Sequence, residues 1–456
     1  MFASLNPATG QVVAQYEDHS PAAVDAALDR AAGAQAAWRR TPLEQRARLL
    51  TSAAAVLRQH KGRYAALITL EMGKPVAEAE GEIEKCASTC DFYAAQAATF
   101  LADEIVPSNA TLSKVVFDPL GLVLAVMPWN YPFWQVIRFA APALTAGNGA
   151  VLKHANNVPQ CALALEEVFR EAGAPEGLFT TLLVGAGSVK SLIEDRRIAA
   201  VTLTGSTPVG KLVASQAGAV LKKQVLELGG SDPFIVLADA DIEAAAQVAA
   251  KARFQNAGQS CICAKRFIVE DGVADRFVEA LHAHATEIRI GDPTDRAITM
   301  GPMARHNLRA ELHDQVERTV KQGGRLLMGG RLADGPGAFY APTIIDHVTD
   351  RMASGAEETF GPVASVMRVR DAEAAIALAN ATDFGLGAGL WTTDLDRAAR
   401  LAREIDAGAV FVNGLVASDA RLPFGGLKQS GYGRELGVYG IREFTNIKTI
   451  WFGPAR

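Results

Sequence analysis

The chain has 456 residues, 49% hydrophobic and 21% charged, with a formal net charge of −5. That composition fits a globular protein of two or three domains and leaves no basic footprint for nucleic acid. The longest apolar run, 120–129, is too short to cross a membrane and holds Gly121 and Pro128.

The first hundred residues read as helical. Ser20-Pro21 is a cap and first-turn pair, and Val24, Ala27, Leu28 and Ala31 follow at helical spacing. Further helices are expected at about 42–59 and 75–100. The second carries Cys86 and Cys90, four residues apart, which read as packing thiols because no further metal ligands are in sight. Next comes a series of short apolar runs, 122–127, 150–153, 179–184, 198–203 and 224–228, most of them separated by helical segments near 134–146, 158–172, 187–194 and 207–217. A second series follows: 233–237, helix 241–255, 266–270, helix 274–287, 363–369, helix 371–380, 409–412. Strands alternating with helices predict two α/β units with doubly wound parallel sheets, meeting near Gly229-Gly230 with a cleft between them. Segments 111–119 and 444–452 alternate like antiparallel strands that pair with each other or with a neighbouring subunit. The N-terminus lacks the order of a signal peptide, and five cysteines do not suggest a disulfide framework, so a cytoplasmic setting is expected.

Several candidate groups fall at predicted strand ends or adjoining loops. "TLTGSTPVGKLV" (202–213) is a strand, a Gly-Ser-Thr turn and a helix, an arrangement that can receive a phosphate or simply cap the helix. Asn130, in "PWNYPFW" (128–134), can donate to an oxyanion or serve as a turn residue. Glu227 sits in an apolar strand, where its pKa would rise and make it a candidate general base, unless it is salt-bridged or edge-exposed. Glu358, before a Phe-Gly-Pro turn, can accept from ribose hydroxyls or lie in solvent. "LPFGGLKQSGYGRE" (422–435) marks a mobile or closely approached backbone. In "FQNAGQSCICAKRF" (254–267), Cys261 follows a polar, flexible run, which allows either a reactive or a structural thiol.

The motifs "PWNYP", "LTGSTPVG", "LELGG", "GQSC", "EETFGPV" and "PFGGLKQSGYGRE" make the chain resemble the aldehyde dehydrogenase superfamily over essentially its whole length. The resemblance implies an aldehyde dehydrogenase-like α/β fold. A dinucleotide-binding domain would comprise 1–103 and 121–229, and a catalytic domain 230–435. Segments 104–120 and 436–456 would form an antiparallel oligomerisation hairpin, giving a homodimer or homotetramer. It implies Cys261 as nucleophile, Glu227 as general base, and Asn130 with the Cys261 N–H as oxyanion hole. Lys153 and Glu358 would hold the ribose units, and Ser206 with its helix the pyrophosphate. Met127, Pro128, Trp129, Asn156, Gly185, Gly205, Val209, Leu228, Gly229 and Phe360 would line the cofactor path. The implied reaction is NAD(P)+-dependent oxidation of an aldehyde to its carboxylate through a thiohemiacetal and a thioester.

A closer likeness to bacterial succinic semialdehyde dehydrogenases of the short type lies in "PWNYPFWQVIR", "LKHANN" and "LELGGSDPFIVL". It implies Arg138 as a carboxylate-binding residue. A second arginine of some members is Gln255 here, so Arg421 with Ser418 is the expected substitute. Tyr131, Trp134 and Phe424 would line the tunnel, which also suits a broad-specificity aliphatic or aromatic aldehyde dehydrogenase. Asn156, where many NAD-specific members carry Glu, removes a repulsion, so NADP is expected to be accepted alongside NAD. His154 reads as strand-end filler. Cys263 is a candidate redox partner of Cys261 or a space-filler.

Overall fold

The computed structural model describes residues 2–453. Ser20 accepts the Ala23 N–H, so helix Pro21–Trp38 begins at the expected Ser-Pro pair. Leu43–Gln59 and Val76–Phe100 follow as expected, but a helix the pattern did not separate, Lys61–Met72, lies between them. The opening residues are not helical. Phe2–Leu5 and Val12–Tyr16 pair as an antiparallel hairpin, too short and too exposed to show an alternation.

The first series of apolar runs forms one sheet. Its spatial order is Gly431–Tyr432, Lys223–Glu227, Ile198–Thr204, Leu122–Met127, Gly149–His154, Phe179–Thr181, and only the first of these runs antiparallel to its neighbour. From Leu122–Met127 the chain builds outward to one side and then to the other. The crevice past Met127 and Thr204 is therefore a topological switch point, where α/β sheets take ligands. The second sheet runs Arg325–Met328, Thr343–Asp346, Val363–Val369, Ala264–Glu270, Asp232–Val236, Gly387–Trp391, Ala409–Val412, again parallel but for the first strand. Gly387–Trp391 gave no sequence signal because "GAGLW" has two glycines and no β-branched residue.

Helix Trp134–Ala146 is buried on every face and carries Pro142 inside it. The side chains around it, including Tyr64, Phe133, Cys86 and Cys90, form the largest core cluster, and each large apolar side chain so buried contributes about 1.5–3 kcal/mol. Cys86 and Cys90 are fully buried, and burial pushes both thiols up, as packing residues require. Thr445–Phe452 pairs along its length with Leu112–Pro119, and Glu104–Ile105 pairs on the far side of that strand. The two alternating segments thus pair with each other within one chain. Ile447 and Trp451 are left exposed on the outer strand.

Candidate active site

Three stretches meet at the crevice: the turn after Met127, the end of strand Lys223–Glu227, and the loop after helix Ile242–Phe254. The loop is held in an unusual backbone. Asn256, Ala257 and Gly258 have φ of 51°, 51° and 69°, all left-handed. Asn256 anchors it by donating from Nδ2 to the carbonyls of Asn130 (2.9 Å) and Gln259 (3.1 Å) and from its N–H to Glu78 (2.9 Å). Two buried cations clamp the rest. Arg253 donates to the Gly258 and Ala264 carbonyls at 2.7 and 3.0 Å. Lys265 donates to the Ser260 and Cys261 carbonyls at 3.1 and 2.9 Å.

Cys261 stands at the end of this loop and is only half-buried. Burial pushes its thiol up to about 12; the charges of Arg138 and Lys265 pull it down, and Glu227 and Asp232 push it further up. Asn130 is 4% exposed; its Nδ2 donates to the Gln259 carbonyl at 3.0 Å, and its Oδ1 accepts from Gln135 at 3.1 Å. This fixes the amide while leaving its second hydrogen available to an oxyanion. Glu227 is 1% exposed, and among the described residues neither carboxylate oxygen has a hydrogen-bond partner. Burial pushes it up to about 8 despite Arg138 nearby. The sequence left open a salt-bridged or edge-exposed glutamate; Glu227 is neither.

Two substrate expectations require correction. Arg138 is not open in a tunnel: it is 2% exposed, ion-paired with Glu435, and donates to Thr204 at 3.2 Å. A buried guanidinium needs such a carboxylate, and the Phe424 ring covers it at 4.7 Å. Arg421 points to solvent, its side chain 76% exposed and held in a fork by Asp419 at 2.5–2.9 Å. Ser418 accepts from Lys85 at 2.7 Å. Tyr131 and Trp134 line a cavity of about 540 Å3 together with Lys74, Glu82, Lys85 and Gln255, and Phe424 lines a separate small cavity with Ser418 and Ile262. Cys263 is 1% exposed, and its thiol donates to the Gly258 and Ser260 carbonyls.

On the other side of the crevice, Ser206 is the N-cap of helix Thr207–Ala219 but makes no side-chain cap bond. Its helix N-terminus is thus available to an anion, and Val209 beside it is 45% exposed. Lys153 donates to Asn156 at 3.1 Å. Gly205 directly follows strand Ile198–Thr204, Pro128 and Trp129 directly follow strand Leu122–Met127, and Gly185 precedes the short turn Ala186–Ser188. Leu228 is buried under Gly210. Trp129 and Phe360 meet edge to face at 5.9 Å. Glu358 is half-buried, accepts the Gly230 N–H at 3.0 Å and pairs with Lys265 at 3.1 Å. A Cβ on Gly229 would come within 2.3 Å of the Glu358 carboxylate, so a larger residue here would displace that side chain. A free helix N-terminus, an uncovered apolar side chain beside it and a lysine next to a neutral Asn156 fit an adenine dinucleotide. His154 packs as expected, its ring nitrogens bonded to Pro132 O and Ala155 N–H and its pKa pushed down to about 4 by burial.

Two parallel sheets, a thiol, an amide and a carboxylate meeting at their crevice, and a dinucleotide cradle beside them define an oxidoreductase that works with a nicotinamide nucleotide. The chain belongs to the aldehyde dehydrogenase family, whose model matches residues 1–450. It is 51% identical over 450 residues to a Synechocystis sp. protein named "Probable succinate-semialdehyde dehydrogenase [NADP(+)]", covering 99% of each chain. It is 47% identical over 448 residues to an Escherichia coli succinate semialdehyde dehydrogenase [NAD(P)+], covering 98% of this chain and 97% of the other. The structure of succinic semialdehyde dehydrogenase from Streptococcus pyogenes in complex with NADP+ is also similar. It gives a TM-score of 0.97 at 37% identity, covering 99% of this chain and 100% of that one.

Sequence reasoning did not assign Lys85, Glu82, Asn256, Lys265 or Glu435. Glu435 lies in the motif "GYGRE", which singled out the stretch but not the residue. Lys265 had a usable signal, a charge just inside an apolar strand. Lys85 had none, since a lysine on a helix with glutamates reads as a solvated face.

Proposed function

We propose that this protein oxidises succinic semialdehyde to succinate with NADP+, and accepts NAD+. The observation that carries the chemistry is the buried, unpartnered Glu227 carboxylate together with the half-buried Cys261 thiol and the fixed Asn130 amide. The substrate rests on the named relatives at about half identity over nearly the full chain.

In this reading the Cys261 thiol passes its proton to solvent as its sulfur attacks the aldehyde carbon, the oxyanion accepts from the Asn130 amide and the Cys261 N–H, and collapse of that oxyanion expels the carbon-bound hydrogen as hydride and leaves a thioester on Cys261. The nicotinamide, when bound, supplies the acceptor for the hydride. Glu227 as carboxylate takes a proton from water, which hydrolyses the thioester on Cys261 and frees the thiol. Lys153 and Glu358 hold the riboses, and the helix N-terminus at Ser206 takes the pyrophosphate. The neutral Asn156 leaves room for a 2′-phosphate beside Lys153. Cys263 packs, because forming a bond to Cys261 would break both of its hydrogen bonds.

Segments 1–103 and 121–229 form the nucleotide-binding unit and 230–435 the catalytic unit. The hairpin 104–120 with the tail from 436 joins subunits into a dimer or tetramer. Five free thiols fit a reducing cytoplasm. A broad-specificity aldehyde dehydrogenase is the second reading, favoured by the aromatic lining of Tyr131 and Trp134. Nucleotide reduction with succinic semialdehyde, hexanal and benzaldehyde, each with NAD+ and NADP+, separates the two. Equal rates on all three aldehydes discard the semialdehyde reading, and no turnover with NADP+ discards the role given to Asn156.

A further inference from the structure

The cavity lined by Tyr131 and Trp134 is also lined by Lys74, Lys85, Lys251, Glu78, Glu82 and Glu287, and among the described residues Lys85 has no ion-pair partner there. Lys85 reaches it from helix Val76–Phe100 and is half-buried. Its Nζ donates to Ser418 Oγ at 2.7 Å and lies 4.1 Å from the centre of the Trp134 ring. The ring face attracts the ammonium and fixes its position.

Nearby carboxylates have other partners: Glu78 accepts the Asn256 N–H at 2.9 Å, and Glu287 lies 3.9 Å from His284. Glu82 pairs with Lys74 and accepts the N–H groups of Phe133 and Trp134 at 2.9 and 3.0 Å, closing the start of the buried helix. Glu435 is taken by Arg138, and Asp419 by Arg421. Among the described residues no carboxylate ion-pairs with Lys85. Burial, with Arg138 close by, pushes its pKa down to about 8, the direction of a cation short of counter-charge. Its position also suits a short substrate. Ser418, which Lys85 holds, shares a small cavity with Ile262, the neighbour of Cys261.

We propose that Lys85, aligned by Trp134 and Ser418, binds the carboxylate of the substrate, the part expected of Arg138 and Arg421. The entering carboxylate takes the ammonium in a charge-assisted hydrogen bond, and the Ser418 hydroxyl then turns to donate to the same group. This inference rests on the semialdehyde reading.

The test compares kcat/KM for succinic semialdehyde and for butanal, which has the same chain length and no charge, in wild type, Lys85→Met and Lys85→Arg. The ratio of the two is the readout. Losing one charge-assisted contact lowers that ratio about 10- to 100-fold in Lys85→Met, chiefly through KM for the semialdehyde. Lys85→Arg keeps most of the preference. A Lys85→Met enzyme that keeps the wild-type ratio, or that loses both substrates equally while Lys85→Arg does the same, overturns the assignment. A wild-type ratio near one removes the semialdehyde reading itself and the clamp with it. A strong wild-type preference that survives in Lys85→Met removes the clamp alone.

Discussion

Glu227 ionises far from the ordinary carboxylate range because nothing in its surroundings solvates it. Burial holds it near 8, against an ordinary value of 4.5, so it is mostly protonated at neutral pH. In its proposed role as base for thioester hydrolysis it works only when ionised, so kcat is expected to rise with pH through about 8. Glu227→Gln removes that limb from the pH profile and leaves acyl-enzyme to accumulate, seen as a burst of reduced nucleotide followed by a slow steady rate. The same shift carries a stability sign. The folded chain holds a proton that the unfolded chain has released between pH 4.5 and about 8, so stability falls as pH rises through that window. Glu227→Gln cannot ionise, and its Tm therefore drops less than the wild-type Tm between pH 5 and 8. An equal drop would place the titrating group elsewhere.

At the scale of elements, the catalytic strand is braced by a piece of chain two hundred residues away. Gly431–Tyr432 pairs antiparallel with Leu226 and Glu227, bringing the C-terminal Gly-rich loop, with Glu435, up to the catalytic end of the first sheet. Gly431 has φ 108°, and a Cβ there would come to 1.9 Å of the Leu226 carbonyl. Gly431→Ala pushes the two strands apart, costs about 1–3 kcal/mol in stability and lowers kcat more than it raises KM for the nucleotide. Thermal unfolding and steady-state kinetics on one preparation check both halves; unchanged kcat would mean the brace is passive. The sequence flagged this loop as closely approached backbone, which it is, but could not show what approached it. The same limit runs through the site. Cys261, Asn130 and Glu227 stood out because each is a polar or reactive group in a local motif at odds with its neighbours, while the roles expected of them came from the family resemblance. Arg138 and Arg421 were misplaced because their surroundings come from distant partners: Glu435 lies almost three hundred residues from Arg138, and Asp419 turns Arg421 outward. Most strands of the two alternating series were found nearly to the residue, whereas Gly387–Trp391 and the opening hairpin lacked the pattern that periodicity detects, and helix His306–Lys321 with strands Arg325–Met328 and Thr343–Asp346 went unread between the last helices of the second series.

For the whole molecule, the three-stranded sheet is the part left without cover. Thr445–Phe452 forms its edge, with Ile447 63% and Trp451 50% exposed on one face. An exposed edge strand with apolar side chains is a template for another chain. In a dimer or tetramer joined here, Ile447→Asp places a charge in the contact and shifts the protein toward smaller species in sedimentation at micromolar concentration. An unshifted mass would move the contact to another surface.

The left-handed run at Asn256 and Ala257 carries a consequence for how the enzyme can change. Only glycine adopts φ of 51° without penalty, and each of these two residues holds about 1 kcal/mol or more of backbone strain. Arg253, Lys265 and the Asn130 carbonyl keep the loop in place against that strain. Ala257→Gly relieves the local strain but makes the segment before Cys261 free to sample other shapes. It is expected to move Tm and kcat in opposite directions, so selection for heat resistance and selection for turnover would pull this single position toward different amino acids.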